Sequence, residues 1–179
     1  MSMAARIVMN SRDIDRSLDR LSLEILERNH GVENLAIVGI HTGGVFLARR
    51  IHERIVTHEH EELPRASLDI TLYRDDWSLV SQNPIVRKTS IDFQVDDMCV
   101  VLVDDVIFTG RTIRAAMDAI MDFGRPRAIE LAVLVDRGGR ELPIQPDYVG
   151  MTVTVGEAER VDVILEENAD RDEVVIHAK

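Results

Sequence analysis

The sequence predicts an α/β protein with a central, mostly parallel sheet flanked by helices. Strand-like apolar runs alternate with longer segments of helical periodicity, an order that builds a parallel sheet covered on both faces. In the stretch Val100-Val101-Leu102-Val103-Asp104-Asp105-Val106-Ile107-Phe108-Thr109-Gly110-Arg111-Thr112, four apolar residues run into two adjacent carboxylates, and a Thr-Gly-Arg-Thr turn then opens a helix. This order sets polar groups at the carboxyl end of a buried strand, where open α/β sheets bind ligands. At 179 residues the chain is expected to form one domain, 1–179, long enough to bury a real core.

Each element has its own signal. Ser11 is placed to cap a helix in which Ile14, Leu18, Leu21 and Ile25 recur at helical spacing, and Gly31 ends it. Leu35 to Ile40 reads as a buried strand, broken by Gly43-Gly44. Phe46, Leu47, Ile51 and Ile55 then form the inner stripe of a second helix. The charged run His58 to Glu62 with Pro64 is a surface loop. Ala66, Leu68, Ile70 and Leu72 alternate with polar residues, as a half-buried strand would. Residues 74–97, polar and carrying two Asp pairs, suggest an extended hairpin or a mobile flap. Met98 to Val103 is the central strand, Thr112 to Phe123 a helix closed by Gly124 and Pro126, and Ala128 to Val135 another strand. Shorter strands are expected at Tyr148 to Val149, Val161 to Leu165 and Glu173 to His177.

Composition excludes several classes. Apolar residues make up 45% and charged residues 30%, ordinary for a globular chain. Twenty-one basic against 32 acidic residues leave a formal charge of −11, which argues against a broad electrostatic grip on nucleic acid. Cys99, the one cysteine, sits in an apolar run and excludes an intramolecular disulfide or a Cys-based zinc site. No apolar stretch approaches the ~20 residues of a membrane helix, and Met1 to Asn10 lacks the apolar core of a signal peptide. A cytoplasmic location is expected. His52, His58 and His60 beside Glu59, Glu61 and Glu62 match no metal-ligand spacing. Gly39 and Gly44 have the spacing of a P-loop, but Val45 stands where its lysine belongs.

The acidic pair carries the chemistry. A carboxylate offers only acceptor lone pairs, so Asp104 and Asp105 suit the two donors of a ribose diol. They can also stabilise positive charge developing on that ring. Thr109 and Thr112 hydroxyls, flexible Gly110 and the open amides of a helix start form an anion cradle that a 5′-phosphate would fill.

These thirteen residues resemble the phosphoribosyl diphosphate (PRPP) signature of type I phosphoribosyltransferases. Four further segments, Asp69 to Asp76, Thr109 to Ala116, Gly124 to Pro126, and Leu131 to Gly138 with Arg140 to Ile144, are similar to the pyrimidine-operon regulators that also act as uracil phosphoribosyltransferases. The resemblance implies the type I fold with a small flap or hood, and transfer of ribose 5-phosphate from PRPP to N1 of uracil, giving UMP and diphosphate with Mg²⁺ carried largely on the diphosphate. By motif, Asp104 and Asp105 would hold the ribose hydroxyls, and Val106, Ile107, Phe108, Thr109, Gly110, Arg111 and Thr112 the 5′-phosphate. Ile40-His41-Thr42-Gly43-Gly44 matches the loop for the leaving diphosphate, where such folds typically have a non-proline cis peptide. Arg74 would close over the phosphates, and Val135, Asp136 and Arg137 would read the base. For Arg74 and Arg137 a solvated surface position is the alternative.

Two departures from the family stand out. The diphosphate loop commonly reads Lys-Thr-Arg-Gly, and His41-Thr42-Gly43-Gly44 lacks that guanidinium. Members that bind leader RNA use a basic face across a dimer. Here the corresponding places hold Asp19, Leu23, Gln145 and Met151, while Arg140 survives. Fewer phosphate-binding cations predict weaker RNA attenuation. Three functions stay open: a uracil-salvaging enzyme, an RNA regulator that senses UMP or UTP with only weak enzyme activity, and a purine-using transferase, the last disfavoured by the 131–144 stretch. A homodimer or homotetramer is expected from the family.

Overall fold

A computed structural model describes residues 5–76 and 88–179. The apolar runs form β2 (Leu35–Ile40), β4 (Cys99–Ile107) and β5 (Ala128–Asp136), which join β3 (Arg65–Leu68) and β6 (Tyr148–Thr152) in a five-stranded sheet of order β3-β2-β4-β5-β6. All four pairings are parallel, with Val38 opposite both Ala66 and Leu102, and Asp104 opposite Val133. β2 is buried along its whole length, which is why it is apolar at every position rather than at every second one.

Successive side chains along the strands go to opposite faces. Leu35, Ile37, Val101, Val103, Ala132 and Leu134 pack beneath α1 (Ser11–Asn29) and α2 (Gly43–Glu59). Val38, Ile40, Val100, Leu102, Leu131 and Val133 pack beneath α3 (Arg111–Met121). The α1 stripe is as the spacing predicts: Ile14, Leu18, Leu21 and Ile25 are fully buried, each contributing about 1.5–3 kcal/mol of apolar burial.

A second sheet forms a hood. It consists of β1 (Arg6–Asn10), β7 (Glu159–Ile164) and β8 (Glu173–Ala178), antiparallel in the order β1-β8-β7. Arg50 of α2 fastens it: its guanidinium reaches Asp172 at 2.6 Å and Glu167 at 2.6 Å in the turn between β7 and β8. Among the described residues, no helix is long and apolar enough to cross a membrane.

Several expectations need correction. The α1 cap is Asn10 rather than Ser11, because Asn10 and Asp13 exchange backbone-to-side-chain bonds at 3.1 Å in a capping box. The alternation through Leu72 does not continue as a strand. Asp69 Oδ1 accepts from the Thr71 amide at 2.8 Å and its hydroxyl at 2.5 Å, folding Thr71–Tyr73 into a 3-10 turn that leaves Leu72 63% exposed. β4 runs on through the acidic pair to Ile107, α3 spans Arg111–Met121 rather than 112–123, and β6 reaches Thr152. β1 carried no strand signal. Of the flap expected over 74–97, residues 77–87 lie outside the described residues. On its far side Ser90 makes one antiparallel bridge to Ser67 and Val95 is buried.

Candidate active site

The sheet order sets the position of the site. β3 lies on one side of β2 and β5 on the far side of β4, so the connections leave β2 and β4 in opposite directions and open a crevice at their carboxyl ends. Two segments meet there: 41–44 after β2 and 104–112 at the end of β4. α2 begins at Gly43 and α3 at Arg111, so each segment ends in a helix start whose first amides lack intrahelical partners.

Glycine is required where these segments touch. A Cβ on Gly43 would overlap the Asp105 carboxylate, and one on Gly44 would overlap the Val103 carbonyl. Gly110 has φ +91°, outside the range comfortable for other residues, and it caps α3. The His41–Thr42 peptide is cis, and the His41 amide donates to the Leu68 carbonyl at 3.0 Å.

A cavity of about 370 Å³ opens beside the acidic pair. Its walls are residues 74–76, Asp104, the 106–113 stretch and Glu141. Asp104 is 6% exposed. Its Oδ1 accepts from the Asp105 amide at 2.9 Å, and Asp105 Oδ1 accepts from the Val106 amide at 2.7 Å. Among the described residues no Lys or Arg is paired with Asp104. Burial, and then the neighbouring Asp105 charge, push the Asp104 carboxyl well above the usual carboxylate range. Burial also raises Asp105, against the pull of the Val106 amide. A buried carboxylate without a cation is costly unless a ligand completes it.

The cavity's arginines are occupied. Arg74 forks onto Asp76 with both contacts at 2.7 Å. Arg111 spans Asp75 at 2.6 Å and Glu141 at 2.7 Å. Asp75, Asp76 and Glu141 were not singled out from sequence; their adjacency to Arg74 and Arg140 was visible, but no spacing rule places acids beside an anion site.

The three residues expected to read the base lie at or just past the end of β5. Val135 is buried, and the Asp136 carboxylate receives the Gly138 amide at 2.9 Å and Arg140 at 2.7 Å. Burial would raise Asp136, but Arg140 and that amide hold it below the usual range. The Arg137 guanidinium stacks 4.0 Å from the Phe108 ring centre, and its Nε is buried without a hydrogen-bond partner. Phe108 therefore joins Arg137 to the cavity wall. On α1, Leu23 is half exposed and Asp19 accepts from Arg54 at 2.7 Å.

The fold is that of a phosphoribosyltransferase: residues 8–163 match the family model described as phosphoribosyl transferase domain. Among solved structures, a hypoxanthine-guanine phosphoribosyltransferase from Bacillus anthracis covers 99% of this chain and 100% of its own, with a TM-score of 0.69 at 16% identity. The hypoxanthine phosphoribosyltransferase of Trypanosoma cruzi gives a TM-score of 0.70 at 18% identity, with 97% of each chain covered. At these identities the likeness concerns the fold. Relatives nearer in sequence carry the name bifunctional protein PyrR. That of Desulfosudis oleivorans is 52% identical over 171 residues, 95% of this chain and 94% of its own. That of Deinococcus radiodurans is 53% identical over 165 residues, 92% and 90%, and that of Bacillus cereus 51% over 175 residues, 97% of each. The chain belongs to the PyrR family of phosphoribosyl transferase domain proteins.

Proposed function

We propose that the protein transfers ribose 5-phosphate from PRPP to uracil, releasing UMP and diphosphate. The observation that carries this reading is the buried Asp104, with no cation paired to it among the described residues, beside Asp105 at the sheet's switch point and next to the 106–112 loop. The two carboxylates accept the ribose hydroxyls, whose donors satisfy groups that burial leaves short of partners. The amides and hydroxyls of Thr109 to Thr112 hold the 5′-phosphate at the start of α3. His41 to Gly44 receive the diphosphate on backbone donors, and Arg74 exchanges Asp76 for a phosphate oxygen. Val135, Asp136 and Arg137 read the base.

In the reaction the bond from C1′ to the diphosphate oxygen breaks, the N1–C1′ bond forms, and the N1 proton leaves to water. The ribose becomes cation-like between these events, and the acidic pair stabilises it by charge and placement. Mg²⁺ suits this donor set, since a hard cation takes oxygen ligands and keeps several waters. It would be carried largely on the diphosphate, whose charge it would neutralise, with Asp104 and Asp105 the carboxylates available to help hold it. The buried free thiol of Cys99 suits the reducing cytoplasm. A homodimer or homotetramer belongs to the same reading.

The test is a panel of uracil, guanine, hypoxanthine and xanthine with labelled PRPP and Mg²⁺. UMP formed from uracil alone is expected; turnover of a purine, or of no base, overturns the proposal. RNA attenuation is weakened in this chain, because Asp19, Leu23, Gln145 and Met151 offer no cation to phosphate. A gel shift with pyrimidine-operon leader RNA, with and without UMP, should give a weak, strongly salt-sensitive complex. Tight binding that persists at high salt would contradict it.

A further inference from the structure

Arg140 lies in the segment that continues past the base side, and its side chain is only 14% exposed. All three of its nitrogens donate inward. Nε reaches the Ile144 carbonyl at 2.8 Å, Nη1 the Phe108 carbonyl at 3.0 Å and Nη2 the Asp136 carboxylate at 2.7 Å. The acceptors lie on three different pieces of chain: the phosphate loop, the end of the base-reading strand, and the turn beyond Arg140. Around this fork the same pieces are stitched by backbone bonds. The Arg137 amide donates to the Ile107 carbonyl at 3.2 Å, and the Glu141 and Leu142 amides both donate to the Thr109 carbonyl, at 2.9 and 3.1 Å. A Cβ on Gly110 would come within 3.4 Å of Ile144 and 3.5 Å of Leu142.

We infer that Arg140 is a positioning residue that fixes the base-reading strand end to the 5′-phosphate loop, so that the two halves of a nucleotide are held at one separation. The inference rests on the reading of these segments as the base and 5′-phosphate sites. A lysine cannot replace Arg140, because one ammonium on a flexible stem cannot reach three acceptors that a planar fork spans.

The consequence differs between ligands. UMP bridges both halves, whereas PRPP has no base and uses the phosphate loop, which the Glu141 and Leu142 amides still hold. The experiment is calorimetric titration of wild type, Arg140→Gln and Arg140→Lys with UMP and with PRPP plus Mg²⁺, each variant first shown by circular dichroism and thermal melting to be folded. Both variants should bind UMP about tenfold or more weaker, the scale of losing bonds to a charged group, and PRPP less than about threefold weaker. In steady state, KM for uracil should rise more than KM for PRPP. Equal weakening of both ligands would indicate loosened structure and overturn the inference. So would wild-type UMP binding in Arg140→Lys, since charge alone would then suffice. If the wild type itself binds neither ligand, the proposed function falls first, and the positioning role with it.

Discussion

Two buried carboxylates at opposite ends of the parallel sheet have opposite surroundings. Glu130, near the amino end of β5, is 8% exposed, accepts from the Tyr148 hydroxyl at 2.6 Å and Asn29 at 3.0 Å, and forms an ion pair with Arg28 at 3.1 Å. Asp104, near the carboxyl end of β4, is 6% exposed and accepts from its neighbour's amide, with no described cation beside it. The first joins α1 to the sheet and is complete without a ligand. The second has no described cation to complete it, and burial together with the Asp105 charge pushes its carboxyl up. Burial alone does not separate a structural acid from a functional one; the inventory of partners does.

The sharpest way to break this contrast is to remove each acid's charge. Asp104→Asn should lower UMP formation by about 10²-fold or more, the scale of deleting one preorganised electrostatic contact, and leave the fold intact. Wild-type turnover in that variant would dissolve the distinction. Glu130→Ala should do the reverse, destabilising by about 3 kcal/mol because Tyr148 and Asn29 lose their buried acceptor, with turnover unchanged at temperatures well below the melt. Urea titration and an activity assay on the same preparation decide it.

How much of this was legible in the chain depends on range. The Asp104-Asp105 pair and its phosphate loop are contiguous, and a buried apolar run leading into polar residues marks them without help from elsewhere. Glu130 was not legible, because Asn29 stands 101 positions away and Tyr148, 18 positions on, meets it only across the parallel pairing of β5 and β6. β1 was missed for a similar reason: five residues with only Met9 buried become a strand when β8 supplies the ladder. Leu72 misled because a local side-chain bond from Asp69 redirected a pattern that looked extended. The base-side residues were placed by family resemblance, and the internal engagement of Arg140 was invisible since two of its acceptors are backbone carbonyls.

Smaller effects sharpen the comparison further. Gly43→Ala should cost about 1–3 kcal/mol through overpacking against the Asp105 carboxylate, and lower affinity for diphosphate; a melting temperature equal to wild type would mean that the two segments are less closely joined than the geometry shows. The smallest effect is a pH dependence. Because the folded Asp104 pKa is raised, its stabilising contribution is fully present below the ordinary value of about 3.9 and is lost as pH rises through the folded value. Without ligand, Asp104→Asn should therefore melt above wild type at neutral pH, with the gap closing toward about pH 4. A gap that widens on acidification would reverse the assigned sign.

The hood ties Arg6 to Ile176. Of the described elements β1 is made first, yet the neighbour it pairs with, β8, is made last of them and sits in the middle of the three. β1 must therefore wait, unpaired, while the parallel sheet assembles, and the hood closes only after translation has delivered β8. A nascent chain stalled before residue 173 would carry both switch-point loops but lack the strand that joins β1 to β7.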